Sequence, residues 1–314
     1  MTSSRSTRRR FRRGTALLGA CALVLGACGG DDDDTATDGD DATGTADGGG
    51  DLAQWQEDGV VMGIANERPY GYEEDGEATG EAPALAKEVF DRLGINDVEY
   101  VPLEFGALVN GLNAGRLDVI AAGMFINPER AENVLFTDPD YCATTAFAVP
   151  EGNPDDLTDF ESVIDSGITL GVLGGAVEGD YAIDSGVPES QVQTVDGTPN
   201  LFDSLEAGRV DAVALTAITV REQVADLDGF EATEGFVPVI DGEEQLGCGA
   251  FGFRYEDQAL RDAFNEEINS MKENDEILPI IEQFGFTDAE VEAAVDVTAS
   301  DLAGGAYDDL GLED

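Results

Sequence analysis

The sequence predicts an α/β fold of two lobes built on mainly parallel sheets. Three observations lead there. Apolar strand-like runs alternate with helical stripes in βαβ order; this alternation occurs in two blocks, 60–122 and 168–215; and one nine-residue unit occurs once in each block. The 314 residues suit roughly two domains of about 150 residues each. With 42% hydrophobic residues the chain has material for real cores and is not disordered as a whole.

In the first block, 60–65 is an apolar run ended by Asn66, a strand. Residues 82–93 place Leu85, Val89 and Leu93 on one helical stripe that stops at Gly94. A strand at 98–103, a helix at 107–113 ended by Gly115 and a strand at 117–122 follow. The second block runs strand 168–173, helix 178–183, strand 191–195, helix 200–207 and strand 210–215. Helices over 261–272 and 276–284 close the fold, and the acidic, Gly-containing stretch after Val297 reads as a loosely held tail. The recurring unit is Leu112-Asn113-Ala114-Gly115-Arg116-Leu117-Asp118-Val119-Ile120, echoed by Leu205-Glu206-Ala207-Gly208-Arg209-Val210-Asp211-Ala212-Val213. Each reads as a helix end, a Gly stop and a strand whose first turn carries Arg and Asp. Ordinary helix-to-strand connections give the same residues, and so do two lobes of similar build facing one cleft.

Charge and composition exclude several functions. There are 16 Lys+Arg against 67 Asp+Glu, a net charge of −51, and no histidine. Without histidine there is no Ser-His-Asp hydrolysis, His-ligated zinc or His proton shuttle. So acidic a chain does not suit nucleic acid, which needs Lys and Arg to displace phosphate counterions. Neither a metal site nor a cofactor is expected. Gly171, Gly174, Gly175 and Gly179 lack the Gly-x-Gly-x-x-Gly spacing of a dinucleotide loop and suit close backbone approach to a small ligand.

The charge is unevenly distributed. Residues 1–27 hold six arginines and no acid, so their removal takes the net charge from −51 to −57. Arg8-Arg9-Arg10-Phe11-Arg12-Arg13 precede a short apolar stretch at 16–27, the order of an export signal. Leu25-Gly26-Ala27-Cys28 resemble the lipobox of bacterial lipoproteins, which implies cleavage before Cys28 and a lipid on its thiol. Thr7-Arg8-Arg9-Arg10-Phe11 also resemble a twin-arginine export motif, so the general and twin-arginine routes both stay open. Residues 29–50 are only Gly, Asp, Thr and Ala, with eight aspartates, and read as a flexible, self-repelling tether. The expected organisation is a signal peptide at 1–27, lipidated Cys28 and linker at 28–50, a first lobe at 51–141, a second at 142–253, a return to the first at 254–295 and an acidic tail at 296–314.

Four motifs then come in order: Asn66-Glu67-Arg68-Pro69-Tyr70, Glu104-Phe105-Gly106, Gly123-Met124-Phe125-Ile126-Asn127-Pro128-Glu129-Arg130 and Phe136-Thr137-Asp138-Pro139-Asp140-Tyr141. Over roughly residues 54–290 the chain resembles the type II, polar-amino-acid-type solute-binding proteins of ABC importers. Within them it is similar to the ectoine/hydroxyectoine-binding proteins, through Ala65-Asn66-Glu67, Pro69-Tyr70-Gly71-Tyr72, Thr79-Gly80-Glu81-Ala82-Pro83, Ala121-Ala122-Gly123-Met124 and Val213-Ala214-Leu215-Thr216-Ala217. The resemblance implies a two-lobed periplasmic-binding-protein-like fold (type II), with a ligand cleft between lobes joined by two hinge strands. It also implies a monomer anchored outside the membrane and working with permease subunits.

The residues agree with this on their own chemistry. Arg130 follows Pro128 just past a strand end, where α/β ligand crevices lie. Its planar fork holds a carboxylate bidentately; a surface ion pair is the alternative. Tyr70, Phe105 and Phe125 each follow a strand end, and aromatic faces attract a cation by about 0.5–2 kcal/mol apiece. Any one of them is as well explained by core packing; together, with Glu67 beside them, they read as a cation box. Amino-acid binders usually carry a Thr two residues after Gly123 and an Asp at Thr216, groups that hold an α-ammonium. Phe125 and a neutral hydroxyl stand there instead, which suits a delocalised ring cation such as ectoine's. Ala176 departs from the family's usual hydroxyl, leaving main-chain N–H groups near Val177 to meet the carboxylate.

Cys142 and Cys248 each precede an apolar strand-like segment, 143–149 and 250–253. In the family's architecture these strands neighbour each other in the second lobe, which implies a disulfide outside the membrane; two buried thiols are the alternative. Two other functions fit the scaffold. Cyclohexadienyl dehydratases share the fold, and Glu67 as general acid would be their counterpart here. A sensory domain would need a signalling segment, which is not seen.

Overall fold

The computed structural model describes residues 52–310 and 312. The expected export signal, Cys28 and acidic tether lie outside the described residues.

Two sheets organise the chain. The first has the order Val98–Pro102, Val60–Ile64, Val119–Phe125, Gly247–Phe253, Leu135–Phe136, with Tyr141–Ala143 also paired to Gly247–Phe253. Its first three strands are parallel and the rest antiparallel. The second has the order Val192–Val195, Leu170–Leu173, Ala212–Thr216, Thr145–Pro150, Phe230–Ala232, again with three strands paired in parallel, while Thr145–Pro150 runs antiparallel to both of its neighbours. Strands Val60–Ile64 and Ala212–Thr216 are buried along their whole length, as expected where helices cover both faces of a parallel sheet. Helix Glu81–Arg92 sets Leu85, Val89 and Phe90 against the first sheet, while Leu93 is only half-buried.

In each sheet the first parallel strand lies between the second and the third. Strand order therefore reverses beside it, and a crevice opens at its carboxyl end. The sequence echo acts at this point. Asp118 accepts a hydrogen bond from the Val61 main-chain N–H at 2.8 Å, and Asp211 accepts one from Thr169 N–H at 2.8 Å. The main chain answers in kind, Asp118 N–H to Val61 O and Asp211 N–H to Thr169 O, each 2.8 Å. The repeated Asp thus ties the third strand of each sheet to the start of the first.

Two expectations are corrected. The strand expected in the second lobe at 250–253 belongs to the first sheet, antiparallel to Val119–Phe125. The return to the first lobe therefore precedes Gly247 rather than following residue 253. Only Thr144 separates Tyr141–Ala143 in the first sheet from Thr145–Pro150 in the second. Cys142 faces Cys248 in register, and a disulfide joins them, with Cα atoms 4.0 Å apart. It clips together the outgoing and returning strands on the first-lobe side.

The tail after Val297 is not loosely held. Thr298 and Asp301 cap helix Ala299–Leu302. Tyr307 is 3% exposed; its hydroxyl donates to Val134 O at 2.6 Å and accepts from Phe136 N–H at 3.0 Å, closing the edge strand Leu135–Phe136. Asp138 anchors the same region. Its carboxylate accepts from Asn265 Nδ2 at 2.9 Å, Asn269 Nδ2 at 2.7 Å and Ala299 N–H at 2.8 Å.

Candidate functional site

Glu67 and Tyr70 stand on the tight loop that leaves Val60–Ile64. Reciprocal main-chain bonds between Glu67 and Gly71, 3.1 and 3.0 Å, close this loop and hold both side chains toward the crevice. Phe105 opens the short turn after Val98–Pro102. Gly123 interrupts the third strand at φ +58°, where a side chain would run into the Tyr70 ring. Arg130 lies on the short helix Pro128–Ala131, whose start is capped by Asn127 Oδ1 accepting from Arg130 N–H at 2.8 Å. From the second sheet, Ala212–Thr216 presents Leu215 and Thr216, and helix Val177–Asp184 begins beside them with no side-chain cap.

These elements converge. Glu67, Tyr70, Phe105, Gly123, Phe125, Arg130, Val177 and Thr216, all eight residues singled out in the sequence, line one cavity together with Ala122, Ala176, Glu178 and Leu215. Its volume is about 30 Å³, enough for about two water molecules. A solute of amino-acid size therefore enters only when the lobes part. Arg130 and Phe105 also border an outer hollow of about 250 Å³ with Gly175, Glu129 and Asp180. A larger hollow on the second lobe, about 550 Å³, has Asp159 and Glu161 as its charged lining and no cation.

The groups around the cavity bind one another across the lobes. Tyr70 Oη donates to Thr216 Oγ1 at 2.8 Å, Thr216 bonds Thr219 Oγ1 at 3.0 Å, and Thr219 donates to Glu67 Oε1 at 3.0 Å. Arg130 is not the surface ion pair that its position also allowed. Its Nη1 donates to Phe125 O at 2.6 Å in the first lobe and its Nη2 to Gly175 O at 2.8 Å in the second. The guanidinium carbon lies 5.4 Å from the Phe105 ring centre. Tyr70 stacks on Tyr141 at 5.3 Å, and Phe125 lies 6.1 Å from Tyr141. The Tyr141 hydroxyl donates to Gly123 O at 2.9 Å. The rings therefore serve as both core and wall. Gly247 completes the fit, because any side chain there would occupy the place of the Phe125 ring.

The electrostatics are those of a dry site. Glu67 is 5% exposed, and burial, with Glu178 nearby, pushes its carboxyl up to about 8 against the Thr219 hydrogen bond. Burial also raises Glu178 to about 7, opposed by its own N–H and by Arg130. Desolvation pulls Arg130 down from the usual arginine value, countered first by Glu178. Glu178, Thr219 and Tyr141 were not singled out in the sequence. Glu178 is the residue after Val177 in the first turn of an uncapped helix that follows a strand, and that position was its one available signal. Among the described residues no cluster of His, Cys, Asp or Glu is arranged to hold a metal, and no helix is long and apolar enough to cross a membrane.

This arrangement has known counterparts. A crystal structure of EhuB in complex with hydroxyectoine superposes with a TM-score of 0.72 and 35% identity, covering 80% of this chain and 97% of that one. An ancestral arginine-binding protein bound to arginine gives 0.62 and 26%, covering 72% and 97%. In sequence the chain is 33% identical over 247 residues to a probable amino-acid ABC transporter periplasmic-binding protein, y4tE, of Sinorhizobium fredii, covering 77% of this chain and 82% of the relative. It is 27% identical over 213 residues to the histidine-binding periplasmic protein of Escherichia coli, covering 63% and 75%. The profile of the bacterial extracellular solute-binding proteins, family 3, matches residues 60–287. With that match over most of its length and with two α/β sheets meeting at one polar crevice, the chain belongs to family 3 of the bacterial extracellular solute-binding proteins.

Proposed function

We propose that the chain is the extracytoplasmic binding lipoprotein of an ABC importer and that it captures ectoine or hydroxyectoine. The observation that carries this reading is the convergence of Tyr70, Phe105, Phe125 and Glu67 with Arg130 on one buried cavity. The solute carboxylate takes the place of the Gly175 carbonyl on the Arg130 fork, helped by N–H groups at the uncapped start of helix Val177–Asp184. The ring cation lies among the three aromatic walls beside Glu67. Likeness to a hydroxyectoine complex at 35% identity supports the same choice. Three inter-lobe hydrogen bonds, Tyr70–Thr216, Thr219–Glu67 and Arg130–Gly175, each involve a group that would hold solute, so solute substitutes for them as the lobes open and close again. The closed form is what permease subunits receive, and lipid on Cys28 keeps the protein at the outer membrane face.

A polar amino acid is the second reading, favoured by relatives named for histidine and amino-acid transport. Against it stands the neutral Thr216, which leaves an α-ammonium without a charged partner at the end of strand Ala212–Thr216. We read the chain as a carrier rather than a dehydratase because its relatives are transport binding proteins. Titration calorimetry with ectoine, hydroxyectoine, glycine betaine, arginine and glutamate tests the choice. Ectoines are expected to bind at micromolar strength or tighter, about −8 kcal/mol or better. Tight arginine or glutamate binding with no ectoine signal would overturn it.

Two further results are expected. Phe125→Ala should weaken ectoine binding by at least about tenfold, the loss of one desolvated aromatic wall; unchanged affinity would make the ring purely structural. Lys87 and Lys272 are the only lysines against 67 acids, the surface of a protein suited to concentrated salt. The thermal midpoint should therefore rise with added sodium chloride, and a flat or falling midpoint would count against that setting.

A further inference from the structure

Glu178 is the charged group of the cavity that the solute leaves without a role. It is the second residue of helix Val177–Asp184, 2% exposed, and lines the same cavity as Glu67 and Arg130. Among the described residues no donor other than its own main-chain N–H supports its carboxyl. A carboxylate kept dry with so little support is costly, whereas a protonated carboxyl is not.

The groups facing it come from three elements. Arg130 reaches in from helix Pro128–Ala131, and Glu67 from the loop after Val60–Ile64, with Tyr70 beside it. Tyr181 and Asp180 stand on the same helix as Glu178 and both feel Arg130, while Glu129 and Asp184 also act on Asp180, and Glu178 and Asp180 on Tyr181. Arg130 is the one cation of the cavity lining, and of the two acids there it is Glu178 that feels its charge. A zwitterion brings its carboxylate to Arg130 and its cation to Glu67. The first cancels the charge that favours ionised Glu178, and the second leaves an ionised Glu67 nearby. The first change favours a proton on Glu178, and the second is largely balanced by the solute cation itself.

We propose that Glu178 is a specificity-determining residue of the solute site that carries a proton in the complex, donating its O–H toward the solute carboxylate while ionised Glu67 holds the solute cation. This rests on the zwitterion reading above. It selects for a solute that presents a carboxylate at Arg130, since a solute without one leaves the Glu178 O–H unpaired in a buried place.

The sign of the pH dependence follows. In the free protein burial pushes the Glu178 carboxyl up to about 7 and the Glu67 carboxyl up to about 8. The complex needs Glu67 bare and Glu178 protonated, so binding expels a proton on the acid side and must take one up on the alkaline side. Calorimetry of the full chain with ectoine and hydroxyectoine, at pH 8 to 9.5 in two buffers of unlike ionisation heat, reads both quantities. The wild type is expected to weaken about fivefold or more across that range and to take up roughly half to one proton per solute near pH 8.5. Glu178→Gln should lose the alkaline fall and the uptake. A wild-type affinity that does not change, proton release in place of uptake, or a folded Glu178→Gln protein that keeps the fall or binds nothing overturns the proposal. The wild-type proton count needs no variant, so it decides the matter even if Glu178→Gln fails to fold. If neither ectoine binds the wild type at any pH, the solute reading itself fails and takes this proposal with it.

Discussion

Arg130→Ala is expected to weaken solute binding by a hundredfold or more while leaving the protein folded. The side chain spans the two lobes through Phe125 O and Gly175 O, and in the proposed complex the solute carboxylate would replace the second of these. Truncating one partner of a buried, hydrogen-bonded charge pair costs about 2–5 kcal/mol, much of it the penalty of a carboxylate left dry and unpaired. About 2.8 kcal/mol is a hundredfold. The fold should persist because the helix start depends on the Arg130 main-chain N–H to Asn127, which alanine retains. Arg130→Lys keeps the charge but not the fork, and is expected to fall between the two, about tenfold weaker than wild type. Titration calorimetry beside a thermal melt separates binding from folding. A loss under fivefold in a folded alanine variant would mean that the carboxylate lies elsewhere in the cleft.

Asp138→Ala is expected to have the largest effect on stability, about 3 kcal/mol. One carboxylate there accepts from Asn265, Asn269 and the Ala299 main chain, joining the long helix Gln258–Glu273 and the C-terminal segment to the first sheet. Removing it strands several partly buried donors at once, a loss of about 1–3 kcal/mol for each group that finds no replacement. For a domain of this size that is a drop of roughly 5–10 °C in melting temperature. Burial alone would raise the Asp138 carboxyl, but the hydrogen bonds from Asn269, Ala299 and Asn265, with Lys272 nearby, hold it below the usual aspartate value. The stabilisation is therefore fully present above the unfolded value of about 3.9 and is lost as pH falls through the lower folded one. Melting curves from pH 7 down to 3 should converge for wild type and variant. Parallel curves, or a variant as stable as wild type at pH 7, would remove Asp138 from this role.

Much of the site was legible because its residues follow strand ends. Glu67 and Tyr70 come after Val60–Ile64, Phe105 after Val98–Pro102, and Arg130 after Val119–Phe125, and reversal of strand order makes those ends one crevice. Glu178 and Thr219 were hidden because each is a polar residue in the first turn of a helix, where a single sequence looks the same for a cap, a solvated charge or a ligand group. The placement of Gly247–Phe253 was illegible for another reason. Its apolar run identifies a strand, but the partner, Val119–Phe125, lies far away in sequence, and no local pattern encodes which sheet a strand joins. The tail misled through composition. Its acids and glycines describe the segment truly, yet one phenol, Tyr307, and the Asp138 carboxylate at Ala299 fasten it.

The position of Gly247–Phe253 also makes the two lobes unequal as independent folding units. The second lobe draws all five of its strands from one unbroken stretch, Thr145–Pro150 through Phe230–Ala232, and that fragment can be excised and expected to close its own sheet. The first cannot be cut out in the same way. Its interior strand is made last, so a nascent chain that ends at Tyr141 has an open edge where Gly247–Phe253 belongs. Completion of the lobe made first must wait for the lobe made second, and the Cys142–Cys248 bridge, 106 residues apart in sequence, can form only after both have arrived.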